Sequence, residues 1–228
     1  MNEIIRKRKS IRKYDLTPLD SSILEKVREQ IENVTPLYPE IKYSIEIIEK
    51  TKGLFNIKAP HYLVLNSEDK EGSYENIGFI GQQIDLFFSE SGLGSCWLGA
   101  SKPDNAEIKC IVCMSFGKSA EPLYRTHSEF KRKPLSKVSE GTDERLEAAR
   151  LAPSGMNMQN WFFDAKDKKI HCYKKKSLLG FIDKLAGIDI GIAIYHIAAE
   201  SKDFYFTKDS KASEKKGYIY VGTVIANS

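Results

Sequence analysis

Between Ala152 and Trp161 the chain reads Ala-Pro-Ser-Gly-Met-Asn-Met-Gln-Asn-Trp, which places Ser154, Asn157 and Gln159 within six residues. A hydroxyl and two amides so close together can donate and accept hydrogen bonds around the edge of one ligand. The aromatic run Trp161-Phe162-Phe163 behind them offers an apolar wall, so the stretch suits a flat molecule with a polar rim. Residues of these types also cap their own backbone in helix-to-strand connections, and that reading stands beside the first.

A second set is cationic. Arg6, Lys7, Arg8, Lys9, Arg12 and Lys13 crowd one short stretch around Ser10, and Lys131-Arg132-Lys133 form another cluster. Guanidinium groups bind phosphate through paired, charge-assisted hydrogen bonds. Nucleic acid would satisfy them too, but no aromatic interleaving or binding motif accompanies either cluster. A small phosphorylated ligand needs fewer charges; a solvated N-terminal arm needs no ligand at all. Gly92, Gly94 and Gly99 mark backbone that turns or comes close to something, without the spacing of a dinucleotide fingerprint or a P-loop. Cys110-Ile-Val-Cys113 has the spacing of a metal or redox pair. Its flanks read as a strand over 107–117, which would point the two side chains to opposite faces. We expect neither metal nor redox chemistry there, and Cys96 and Cys172 read as small core residues.

The elements that must carry these residues follow from periodicity. A short helix at Ile4-Ile5 gives way to an extended segment with Ile11 turned inward. A helix starts near Asp20 and runs to about Asn33, followed by a loop from Thr35 to Pro39. Tyr43–Ile48 alternates as a half-buried strand, and His61–Leu65 reads as a buried one in which His61 is a satisfied core residue. Ser73 to Glu90 is the longest helical pattern, with Ile77, Ile80, Ile84, Phe87 and Phe88 on a broad apolar face. Asp143 to Leu151 is a helix with acids in its first turn, ended by Pro153. Strands at 161–163, 169–173 and 217–225 and an apolar helix over 188–198 complete the second part.

Length and composition bound the rest. The 228 residues can bury one large core or two small ones. Apolar content of 41%, charged content of 29% and a net charge of +4 are ordinary for a globular protein. No apolar run reaches the roughly 20 residues of a membrane span. The start lacks a signal peptide's apolar core, and four cysteines make no disulfide framework. These features lead us to expect a cytoplasmic protein without membrane or nucleic acid partners.

Four segments together resemble the FMN-dependent nitroreductase family. Arg8-Lys9-Ser10-Ile11-Arg12 is similar to its R-x-S-x-R/K motif, and Gly92-Leu93-Gly94-Ser95-Cys96-Trp97-Leu98-Gly99 to its G-L-G-x-x-W-I-G segment. Arg132-Lys133-Pro134-Leu135 is similar to its basic C-terminal motif, and the 152–161 stretch to A-P-S-x-x-N-x-Q-P-W. The order departs from the family, whose A-P-S loop follows the first helix and precedes the central one. The resemblance therefore implies an α+β fold of two tandem degenerate halves, 1–137 and 138–228, each with a central helix on an antiparallel-rich sheet. Family members are homodimers that share each flavin site, so the chain looks like such a dimer fused into one polypeptide with one site kept, and we expect a monomer.

That resemblance implies FMN bound by Arg8, Lys9, Ser10, Arg12, Leu98, Gly99, Ala100, Lys131, Arg132, Pro153, Ser154, Asn157 and Gln159. Arg8 and Arg132, with Lys131 behind them, would neutralise the phosphate; Arg12 would stabilise charge on the reduced ring; the backbone of Leu98, Gly99 and Ala100 would lie near flavin N5. It implies an NADH- or NADPH-dependent oxidoreductase with a nitroaromatic, quinone or similar small-molecule acceptor, and no catalytic acid or base from the protein. A flavin-binding sensor or carrier without turnover is the alternative.

Overall fold

The computed structural model describes residues 2–53, 57–177 and 179–227; positions 1, 54–56, 178 and 228 of the expected halves fall outside them. In chain order the elements are α1 (Glu3–Lys7), α2 (Ser21–Glu32), β1 (Tyr43–Ile48), β2 (Thr51–Gly53), β3 (His61–Ser67), α3 (Ser73–Glu90), β4 (Gly94–Leu98), β5 (Ser101–Pro103) and β6 (Val112–Gly117). There follow β7 (Ser139–Gly141), α4 (Arg145–Leu151), β8 (Trp161–Lys166), β9 (Lys169–Lys175), α5 (Gly180–Ala198), β10 (Asp203–Thr207) and β11 (Tyr218–Asn227). This is the α+β architecture expected, with two separate main sheets. One has the order β1-β3-β6-β4 and the other β10-β11-β9-β8-β7. Among the described residues every strand pairing is antiparallel except β7 with β8.

Alternation along β3 and β6 separates two cores. Leu63, Leu65, Met114 and Phe116 join the main core with Ile77, Ile80 and Ile84 of α3. Tyr62, Val64 and Cys113 join a second cluster with Ile11 and Tyr14. Both faces of the sheet are therefore covered, which is why these strands read as continuous apolar runs. The covering on the second face is the N-terminal strap. Ser10 bridges Ser95 of β4 in parallel, and Arg8 and Tyr14 bridge Tyr124 and Ser119 on the other side.

Helix α5 begins eight residues before the apolar run that announced it. From Ala186 to Ile197 it is apolar at nearly every position, and such a helix must be buried on all sides. It packs on β8 and β9, on α4, and above all on α3. At that last crossing the contact is reciprocal. A Cβ on Gly78 of α3 would overlap the Ile188 carbonyl, and one on Gly191 of α5 would overlap the Glu75 carbonyl. The same offset along the chain takes Glu75 to Ile188 and Gly78 to Gly191. Each helix thus offers the other a glycine and a backbone carbonyl in matching places.

Two expectations are corrected. The strand expected over 107–117 begins only at Val112, because the chain bends at Ile111. Cys110 therefore lies outside the strand, and its Sγ sits 3.5 Å from that of Cys113 instead of on the opposite face. The glycine-rich segment after α3 contains a strand, β4, where Gly94 has Ile11 packed against its Cα and leaves no room for a side chain. His61 is the core residue expected: it is buried and its Nε2 accepts the Leu19 N–H at 2.9 Å.

The crossing makes a direct prediction. Gly78→Ala and Gly191→Ala should each force the helices apart and lower the unfolding free energy by about 1–3 kcal/mol. Gly180→Ala, at an open position in the first turn of α5, should stay within about 1 kcal/mol of the parent. Urea denaturation of the three variants checks this.

Candidate functional site

A cavity of about 440 Å³ is lined by Lys9, Ser10, Arg12, Glu121, Arg125, Glu129, Lys131, Arg132, Pro153, Ser154, Met156 and Asn157. The strap and the segment from Glu121 to Arg132 supply one wall. The loop between α4 and β8 supplies the other, so residues from both expected halves meet here.

The loop is backbone under strain. Met156, Asn157 and Gln159 all have positive φ, at 49°, 58° and 47°. Side chains other than glycine occupy that region at a cost, and runs of it persist only where neighbours hold them. The holding contacts are present. Ser154 Oγ accepts the Gln159 N–H at 2.9 Å, and Asp189 of α5 accepts the Gly155 N–H at 2.8 Å. Gln159 Oε1 accepts the Lys133 N–H at 2.7 Å, and its amide nitrogen donates to the Asn157 carbonyl at 2.8 Å. Asn157 is gripped at both ends of its amide. Its Oδ1 accepts from Arg132 and its Nδ2 donates to the Lys131 carbonyl, each at 2.5 Å.

Positive charge is in excess. Arg132 also donates to the Leu151 carbonyl at the C-terminus of α4 and lies over the Phe130 ring. The Arg125 guanidinium stacks 4.3 Å from the same ring and donates from Nε to the Arg8 carbonyl. Burial, followed by neighbouring guanidiniums, pushes Arg132 down to about 9. Burial and Arg8 push Arg125 down to about 10. The two lining acids, Glu121 and Glu129, offset only part of this against Lys9, Arg12, Arg125, Lys131 and Arg132. Glu129 is tied into a capping box with Thr126, and Glu121 accepts the Arg12 N–H at 2.7 Å with Lys9 beside it. A cavity that holds guanidiniums below their ordinary range is one that an anion would relieve.

Seven of the thirteen expected residues therefore meet in one place: Lys9, Ser10, Arg12, Lys131, Arg132, Ser154 and Asn157; Pro153 joins them as buried lining. The other five do not line it. Arg8 is fully buried behind the strap, with Nε 3.0 Å from Asp85 Oδ2. The approach is poorly aligned, so Nε and Nη1 keep no hydrogen bond, while Nη2 reaches Ser10 Oγ at 3.4 Å. Its role is to back the cavity with charge. Gln159 is 3% exposed and serves as the internal strut of the loop. Leu98, Gly99 and Ala100 lie beyond the point where β4 meets Ser10 through Ser95. Three residues farther along an extended strand is about 10 Å away.

Sequence reasoning missed Arg125, Glu121, Glu129 and Met156. The 118–130 segment shows no periodicity, and its long-range bridges and hydrogen bonds to the strap bring it to the site. It also missed what stands behind the wall. Asp85 accepts from Ser95 Oγ at 2.6 Å and from Gln82 Nε2 at 2.9 Å. Gln82 Nε2 is also 3.2 Å from His196 Nε2, and His196 Nδ1 is 2.8 Å from the Ala148 carbonyl. That carbonyl fixes the His196 proton on Nδ1, and burial holds the ring down to about 3.

The family described as "Putative TM nitroreductase" matches residues 1–201. A "putative nitroreductase" structure from Thermotoga maritima is 20% identical, with a TM-score of 0.70 over 99% of this chain and 93% of the other. It shares the fold along nearly the whole length. An FMN-dependent nitroreductase from Clostridium difficile R20291 is 20% identical over 63% of this chain and 100% of its own, with a TM-score of 0.49. A nitroreductase family protein from Clostridium difficile 630 is 18% identical, covering 60% and 96%, with a TM-score of 0.47. No curated protein matches.

The loop anchor carries a pH signature. Burial pushes Asp189 up to about 7, with the Gly155 N–H pulling the other way. A carboxyl raised on folding favours the folded state while it is protonated, and that contribution is lost as pH rises from about 4 to about 7. Asp189→Asn keeps an acceptor for Gly155 and has no charge to bury. Its stability relative to the parent should therefore grow by on the order of 1 kcal/mol per pH unit across that window and level off above it. Thermal melts from pH 4.5 to 8.5 check the sign.

Proposed function

Because the chain belongs to the Putative TM nitroreductase family, we propose that this nitroreductase-type oxidoreductase works as an FMN-dependent enzyme using NADH or NADPH. The observation that carries the reading is the cavity itself, where crowded arginines face a loop of hydroxyl and amide groups held in strained backbone. When bound, FMN supplies the hydride chemistry, from the nicotinamide donor to a nitroaromatic, quinone or similar acceptor.

The residues present suit such a group. A flavin phosphate carries nearly two negative charges, and Arg125 and Arg132, with Lys9 and Lys131, offer the matching donors. Arg8 adds charge from behind and has a spare buried Nη1 donor. Ser10, Ser154 and Asn157 offer neutral hydrogen bonds for hydroxyls and ring edge. Arg12, exposed at the rim with its backbone fixed by Glu121 and Nη1 donating to the Ser10 carbonyl at 3.4 Å, is a cation placed to meet charge that develops on reduction. We further read the chain as two degenerate copies of one unit. Two lines support this: each main sheet is built from one half only, and the α3–α5 contact is reciprocal. On that reading the cavity is completed within one polypeptide, with no second chain required.

Titration of the protein with FMN should saturate at one flavin per chain. Two per chain, or FAD as the dominant extracted flavin, would overturn the proposal. Arg125→Ala and Arg132→Ala should each weaken FMN by about 1.5–3 kcal/mol. Arg8→Ala should act differently: with Asp85 left charged and buried, the fold should lose roughly 3–5 kcal/mol. Anaerobic addition of NADH or NADPH should bleach the bound flavin, and a quinone or nitroaromatic should restore it. Flavin that binds but resists bleaching by either donor would remove the enzymatic reading and leave a carrier.

A further inference from the structure

The pair Cys110 and Cys113 stands apart from the cavity. The chain bends at Ile111, where the backbone N–H is held by the Leu65 carbonyl at 2.9 Å, just before β6 begins, and Cys110 faces Cys113 across that bend. The two sulfurs are 3.5 Å apart. A disulfide requires about 2.05 Å, so the two sulfurs stand roughly 1.5 Å from bonding distance. The other two cysteines, Cys96 and Cys172, are buried and free.

The two thiols are not equivalent. Cys110 is partly exposed, whereas Cys113 is fully buried, packed with Val64, Cys96 and Leu98 on the face of β6 away from α3. β6 fixes Cys113 on both sides, with Val64 of β3 and Leu98 of β4 as its register partners. The Cys113 thiol stabilises charge on Cys110, and Lys102 adds to this, which lowers Cys110 from the ordinary thiol range; the same contact and burial raise Cys113. A reachable, more acidic sulfur beside an enclosed, less acidic one is the arrangement of an attacking and a resolving thiol.

We propose that Cys110 and Cys113 form a reversible dithiol–disulfide couple that exchanges with low-molecular-weight disulfides. Cys110 thiolate attacks one sulfur of the external disulfide, forming a mixed disulfide and expelling one thiol. Cys113 then loses its proton and attacks the Cys110 sulfur, closing the internal bond and expelling the second thiol. Two protein thiols are oxidised, one external disulfide is reduced to two thiols, and the reverse reaction restores the pair. The couple belongs to the same apolar cluster as Ile11, which lies between the cavity residues Ser10 and Arg12. Its chemistry is independent of whether that cavity holds flavin.

The test uses the intact native protein equilibrated in glutathione buffers of varied ratio, followed by acid quench, alkylation and peptide mass mapping. The expected result is a single peptide carrying both cysteines that loses two hydrogens in oxidising buffer and regains them in reducing buffer. Cys113→Ser should accumulate a glutathione adduct on Cys110, and Cys110→Ser should leave Cys113 free. If a variant fails to fold, the mapping of the parent protein decides alone. Two alkylated thiols at every ratio would overturn the proposal, as would a stable Cys110 adduct in the parent without ring closure, or a disulfide that involves Cys96 or Cys172.

Discussion

Two peptide carbonyls fill the space where two methyl groups would otherwise stand. The Ile188 oxygen lies against Gly78 and the Glu75 oxygen against Gly191, which lets α3 and α5 approach more closely than side chains would allow. Everything else depends on that approach. Each helix carries its own sheet on its outer side, so the separation of the helix axes sets the separation of the sheets. It also fixes where the loop held by α5 meets the strap lodged against β4. The cavity has its volume and lining because of a contact made by atoms that never touch it.

A second requirement is charge carried across the interior. Arg8, Asp85, Gln82, Ser95 and His196 form a chain from the strap through α3 and β4 to α5 and α4. Buried ion pairs seldom stabilise a fold more than apolar residues of similar size would, so their presence calls for another reason. Here the guanidinium lies one residue behind Lys9 and two before Ser10, and it raises the potential of a wall that Arg125 and Arg132 already make positive. Both guanidiniums lie over the Phe130 ring, a cation–π contact that helps to orient them.

Much of this was legible in the chain. β1 and α3 fall where their apolar periods begin and end, although α3 is buried nearly all round, between α5 and its own sheet, where the sequence shows one broad apolar face. The Ser154–Gln159 loop was visible through Pro153 and its amides. What failed did so for tertiary reasons. Cys110 reads as a strand residue because its flanks over 107–117 read as a strand, yet pairing with β3 starts only at Val112. Arg8 and Gln159 have the residue types of ligand contacts but are turned inward by Asp85 and by the Lys133 N–H. Arg125 is an isolated charge in an aperiodic segment, and long-range bridges and hydrogen bonds to the strap give it a place in the cavity.

On the proposed reading of two degenerate copies, the reciprocal crossing bears on how the two halves can differ. The offset that relates Gly78 to Gly191 also relates Asn76 to Asp189. Both hold a loop by the backbone: Asn76 accepts the Tyr38 N–H at 3.0 Å, and Asp189 accepts the Gly155 N–H at 2.8 Å. One anchor is therefore silent to protons and the other is not. Two identical chains related by a true axis would carry the same residue at both places, and any substitution would strike both loops at once. A single polypeptide frees each anchor to be changed alone, so handedness of response is written into a frame whose contacts remain nearly even.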